Sequence, residues 1–127
     1  MHVLVDTSVW IDYFRSGLIS SPLDTLIDEN LIVTNDLILT EVIPFLRVKN
    51  QSKLIGLLND VTKLSLQIDW EELIQFQTHC LRSGINGIGI PDLLIAQNAK
   101  QNKCIIYSLD KHFKLIKDMI DIELYDV

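Results

Sequence analysis

Short, almost unbroken apolar runs alternate along this chain with longer stretches of helical periodicity, and that alternation restricts the fold more than any other feature. A strand that is apolar at every position needs cover on both faces, the condition of a strand inside a parallel sheet. Residues 2–5, 31–34 and 104–108 read as such strands. Residues 63–68 alternate apolar and polar positions and read as a further strand, third in chain order; residues 122–125 read as a weak fifth. Helical patterns fill the intervals at 7–15, from about 21 to 30, 35–49, 52–59, 69–82 and 91–101. Their start signals are local. Thr7 or Ser8 can cap the first, Pro22 follows Ser21 at the start of the second, and Asn35 can cap the third. Asp69-Trp70-Glu71-Glu72 resembles a capping box. Pro44 lies inside the third helical stretch and is expected to bend it. Gly84, Gly87 and Gly89 mark residues 83–89 as a loop. Strands alternating with helices predict a three-layer α/β/α sandwich around a mainly parallel sheet of about five strands, with right-handed crossovers. A chain of 127 residues suits one domain with one core, spanning residues 1–127.

Four carboxylates occupy unusual places in this pattern. Asp6 ends the run Val3-Leu4-Val5, and Asp110 ends the run that begins at Cys104. Glu41 sits in an apolar helical stretch, with Leu37, Ile38 and Phe45 at the neighbouring helical positions. Asp92 follows Ile88-Gly89-Ile90-Pro91 and opens another apolar stretch. An uncompensated carboxylate near a core is costly, so buried charges are paired or bind metal. Asp6 and Asp110 follow the C-terminal ends of the first and fourth strands, where open parallel sheets bind ligands at the point of strand-order reversal. If those strands are neighbours, the acids face each other, and Glu41 and Asp92 can reach the same crevice. One divalent-cation site and metal-assisted hydrolysis are the expectation.

Each acid also has an ordinary explanation: a cap for Asp6, a first-turn acid for Asp92, a turn residue for Asp110, a Lys or Arg partner for Glu41. The combination carries the expectation. Asp24, Asp28 and Glu29 fit an exposed helix face, Glu71 and Glu72 a first turn, and Asp69 a cap; Asp12 is ambiguous. His2, His79 and His112 show no ligand spacing; His112, close to Asp110, is in reach of a substrate, but a surface role is the expectation. Trp10, Tyr13, Phe14 and Phe45 read as core, with some available to line a groove for a partner.

The chain is 48% hydrophobic and 22% charged, which marks a globular protein rather than a disordered one. No apolar run reaches the length of a membrane span, and the N-terminal residues lack a signal-peptide pattern. A cytoplasmic protein without a membrane partner is expected. Cys80 and Cys104 lack a CxxC pattern and read as reduced, buried thiols rather than zinc ligands. The net charge of −6 offers no basic footprint for nucleic acid, yet a bound cation would offset part of it. The same acidity suits a basic partner.

The segment Val3-Leu4-Val5-Asp6-Thr7-Ser8-Val9-Trp10-Ile11-Asp12-Tyr13-Phe14 resembles the start of PIN-domain ribonucleases, particularly VapC-type toxins of bacterial toxin–antitoxin systems. Three later segments agree in order and spacing: Leu39-Thr40-Glu41-Val42, Gly89-Ile90-Pro91-Asp92-Leu93-Leu94-Ile95-Ala96, and Tyr107-Ser108-Leu109-Asp110-Lys111-His112-Phe113. The resemblance implies a PIN-like α/β/α fold and an endoribonuclease using Mg2+ or Mn2+, with Asp6, Glu41, Asp92 and Asp110 as catalytic and metal-binding residues. Asp6 and Asp92 would be the principal ligands, and Ser8 matches an auxiliary small polar position. The last segment departs from the pattern, because the family often carries a second acid where this chain has His112, and Asp110 is the ligand most affected. The resemblance further implies an RNA substrate, a cognate antitoxin and a homodimer.

Two rivals stand beside this reading. One is a PIN fold that has lost catalysis and only binds. The other is a receiver-like Mg2+-binding signalling module, for which Asp69 would be the acceptor; no acidic pair follows the first strand and no Lys ends the fifth.

Overall fold

The computed structural model describes residues 1–126. Its elements run β1 (Val3–Val5), α1 (Thr7–Arg15), α2 (Leu23–Asp28), β2 (Ile32–Thr34), α3 (Asp36–Val48), α4 (Ser52–Asn59) and β3 (Thr62–Lys63), followed by α5 (Trp70–Arg82), α6 (Ile90–Asn102), β4 (Ile105–Tyr107), α7 (His112–Ile120) and β5 (Glu123–Leu124). The strands form one sheet in the order β3-β2-β1-β4-β5, and every pairing is parallel. Helices α1, α3 and α4 contact one another, as do α5, α6 and α7, so two helical layers enclose the sheet.

The centre of the sheet explains why β1 is apolar at every position. Leu4 pairs with Val33 on one side and Ile106 on the other, and Val3, Leu4 and Val5 are all inaccessible to solvent. Burying a side chain of this kind contributes about 1.5–3 kcal/mol relative to leaving it exposed. The strand order reverses between β1 and β4, so the crevice between their C-terminal ends is the topological switch point. This order is not the 2-1-3-4-5 order of receiver-type domains. Asp69, the acceptor such a module would need, instead caps α5 by accepting a hydrogen bond from the Glu72 amide (3.1 Å).

Local signals fixed several elements. Asn35 caps α3 by accepting from the Ile38 amide (2.9 Å), and α3 continues through Pro44 to Val48. Cys80 and Cys104 are free and buried. Asp6, rather than Thr7 or Ser8, holds the cap position of α1, and its side chain is engaged elsewhere. Residues 63–68 do not form a strand beyond Lys63. Their carbonyls are taken by side chains of α6: Asn98 donates to the Ser65 carbonyl (3.1 Å) and Gln101 to that of Gln67 (2.8 Å). The alternation in this segment is genuine, with Leu64 and Leu66 partly buried, but after the Leu64 amide, which still donates to the Thr34 carbonyl of β2 (2.7 Å), the Ser65 and Gln67 carbonyls turn to α6. Helix α7 was not anticipated either. Its buried residues Phe113, Ile116 and Ile120 recur at helical spacing and seal the edge of the core.

Candidate metal centre at the switch point

The ends of β1 and β4 are tied together before any acid is considered. The Asp6 amide donates to the Tyr107 carbonyl (2.8 Å), extending the parallel pairing by one residue. Both chains then turn away, and two serines hold the turns. Oδ2 of Asp6 accepts from Ser8 Oγ (2.9 Å) and Ser108 Oγ (2.8 Å). Ser8 Oγ in turn accepts from the Leu109 amide (3.0 Å), and Ser108 Oγ from the Asp110 amide (2.9 Å). Asp6 is therefore a buried carboxylate linked to Asp110 through one hydroxyl. Ser8, expected as an auxiliary position, bridges the two strand ends.

Asp110 then starts α7. Its Oδ1 accepts from the His112 amide (2.9 Å), which fixes the first turn and swings the His112 ring toward α6. Nδ1 of His112 lies 3.1 Å from Asp92 Oδ2 and 3.3 Å from Asp110 Oδ1. One potential ligand atom from each of Asp92, Asp110 and His112 lies within 4.8 Å of the others. The loop before α6 passes over the same place. Gly87 adopts a positive φ of 84°, a conformation that favours glycine, and a Cβ there would stand 4.0 Å from His112 Nε2.

Glu41 stands at the rim. It is exposed, and of its neighbours Ile38 is fully buried while Leu37 and Phe45 pack against the core only partly buried. No Lys or Arg pairs with it among the described residues; Thr7 Oγ1, next in sequence to Asp6, donates to its Oε1 (2.9 Å). Asp92 and Asp110 thus share one cluster with His112; Asp6 is linked to the Asp110 amide through the Ser108 hydroxyl, and Glu41, bonded to Thr7, is not among the clustered groups. The sequence places His112 near Asp110 but does not put it between the two carboxylates. The signal was available: an α7 pattern starting at His112 puts its side chain in the first turn beside Asp110. Asp12, ambiguous in sequence, is structural. Its Oδ2 accepts from the Ser20 amide (3.0 Å) and hydroxyl (2.6 Å), which pins the connection from α1 to α2.

The electrostatics are those of a site short of positive charge. Burial pushes the Asp92 carboxyl above its ordinary value, and the neighbouring Asp110 charge adds to the rise. The hydrogen bond from His112 and the Gly89 amide oppose it without cancelling it. Two carboxylates and an imidazole converging on one point are chemically suited to a divalent cation, which would relieve both the repulsion and the burial penalty.

An all-parallel α/β/α sandwich with an acidic cluster at its switch point defines the class. The family model described as PIN domain matches residues 3–119, and the chain belongs to the PIN-domain family. No curated protein sequence matches. Solved structures with the same fold include VapBC2 from Rickettsia felis bound to a DNA fragment from its promoter, at 21% identity and a TM-score of 0.75, covering 100% of this chain and 99% of that one. VapBC-1 from nontypeable Haemophilus influenzae is 18% identical with a TM-score of 0.72, covering 99% of this chain and 98% of that one. VapC20 from Mycobacterium tuberculosis, described as a sarcin–ricin-loop-cleaving toxin, is 14% identical with a TM-score of 0.60, covering 89% of this chain and 93% of that one.

Proposed function

We propose that this chain is a divalent-metal-dependent endoribonuclease and the toxin of a toxin–antitoxin pair, working as one PIN unit. The observation that carries the reading is the convergence of Asp92, Asp110 and His112 beside buried Asp6 at the switch point of a PIN fold. Asp92 and Asp110 would hold the ion, with Asp6 supporting from β1; Mg2+ or Mn2+ bound there would supply Lewis acidity toward the scissile phosphate and the attacking water. The chain's own groups position the rest. The Ser8 and Ser108 hydroxyls fix the Asp6 carboxylate, and the Asp110 side chain is fixed by the α7 amide. In this reading Glu41, bonded to Thr7 and open to solvent, orients the attacking water. Single-stranded or looped RNA is the substrate, since its phosphates and bases are accessible; the loop-cleaving relative agrees with this.

The partners follow from the neighbours and the surface. The VapBC neighbours support a cognate antitoxin. An apolar groove between α1 and α4, lined by Trp10, Tyr13, Phe14, Leu54 and Leu57, offers the surface its segment would cover. Trp70, Ile74 and Leu81 are each about 60% exposed and lie on one face of α5, which suits the homodimer. Trp70→Glu is expected to give a monomer by analytical ultracentrifugation. No helix among the described residues is long and apolar enough to cross a membrane.

One observation favours a second reading, a PIN fold that only binds: His112 sits among the acids and can neutralise them. An RNA cleavage assay separates the two. The nuclease reading expects cleavage with Mn2+ or Mg2+ that EDTA abolishes; metal binding without cleavage of any RNA supports the binder.

A further inference from the structure

We infer that His112 is a nitrogen ligand in the metal centre and that this chain therefore selects a transition-metal ion such as Mn2+ over Mg2+. The inference rests on the metal-dependent reading above and adds the identity of a donor and the consequence for ion choice. His112 Nδ1 points between two carboxylate oxygens, 3.1 Å from Asp92 and 3.3 Å from Asp110. Those separations fit three donors that can turn toward one ion among them, in place of the hydrogen bonds they now share. Asp110 accepts from the His112 amide, which sets the start of α7, and Nε2 lies on the side of Gly87 while Nδ1 faces the two carboxylates.

The donor chemistry sets the preference. Mg2+ is a hard ion that takes oxygen ligands and retains its waters, so an imidazole gains it little. Imidazole is a ligand for first-row transition ions; Mn2+ shares the oxygen preference of Mg2+ but stands at the start of that series, so an added nitrogen donor favours it over Mg2+. A site made only of carboxylates would discriminate weakly between Mg2+ and Mn2+, whereas a mixed nitrogen and oxygen site discriminates in favour of Mn2+.

Electron spin echo envelope modulation on Mn2+ bound to the full chain tests this without any activity readout. The expected spectrum contains the modulation of a directly coordinated imidazole nitrogen. It is lost in His112→Gln and kept in His79→Gln, whose histidine lies on α5, outside the cluster. Competition titrations should agree: His112→Asp narrows the preference for Mn2+ over Mg2+ on the order of tenfold, the scale on which residues supporting a metal site act. Metal-free melting curves show that each variant is folded. Bound Mn2+ without nitrogen modulation, or modulation that survives His112→Gln, overturns the inference and leaves the metal-dependent reading intact. Tighter Mn2+ binding in His112→Gln also overturns it, because the histidine would then compete with the ion. If Mn2+ does not bind at all, both the inference and the metal-dependent reading fail.

Discussion

Helix α6 carries polar side chains in two places, and they are treated in opposite ways. In its middle, Gln97 and Asn98 are buried and fully engaged. Gln97 bonds to both the amide and the carbonyl of Asp69 and to Glu72, while Asn98 accepts from Asn35 and donates to the Ser65 carbonyl. All of this is neutral or charge-assisted hydrogen bonding, completed within the chain. At the start of the same helix, Asp92 faces Asp110 with only a histidine between them. The first cluster specifies where the chain after β3 lies. The second leaves negative charge that the chain does not balance with a Lys or Arg among the described residues. Buried polar groups that are internally satisfied hold a fold together; groups left short of a counter-charge mark where something else binds.

Breaking each cluster should have a different signature. The largest effect belongs to Asp92→Asn, which is expected to lower RNA cleavage on the order of a hundredfold or more, as loss of a ligand disables the site. The folded, metal-free protein should survive this change with a higher melting temperature, because a repelled and desolvated charge is removed. Asn98→Ala should do the reverse. It leaves the Asn35 amide and the Ser65 carbonyl without a partner and is expected to destabilise the fold by about 2–4 kcal/mol in a urea titration. Cleavage per folded molecule should be unchanged. Mn2+ at a hundredfold excess over its Kd should stabilise the wild type by about 2.7 kcal/mol, a shift of several degrees. Asn98→Ala should retain that shift and Asp92→Asn should lose it.

The smallest effect is the pH dependence. The Asp92 carboxyl titrates higher in the folded state than in the unfolded state, so the folded protein binds the extra proton. The stability deficit of the metal-free wild type relative to Asp92→Asn should therefore be full above the raised folded value. It should shrink as pH falls through that value toward the ordinary carboxylate range. A deficit that grows on acidification would contradict the burial argument for Asp92.

The same contrast explains what could be read from sequence. β1 and β4 and their terminal acids were legible because a strand buried on both faces is apolar at every position, so Asp6 and Asp110 stand out at its end. Asp92 was legible because it opens the apolar stretch behind Pro91. Residues 63–68 misled because their pattern reports partial burial, and the partners of their carbonyls, Asn98 and Gln101, come from a helix more than thirty residues later. Glu41 misled in the other direction: apolar neighbours on a helix imply burial only when they are themselves in the core. His112 was overlooked because its position beside Asp92 and Asp110 follows from α7 starting at residue 112, and that helical pattern was not read from the sequence.

Calorimetric titration of Mn2+ into the full chain, beside an Asp92→Asn/Asp110→Asn double variant, tests the convergence of these acids most directly. Saturable binding in the wild type that disappears in the folded double variant is the expected result. Equal binding in both proteins, or none in either, would contradict a metal centre at the end of β1 and β4.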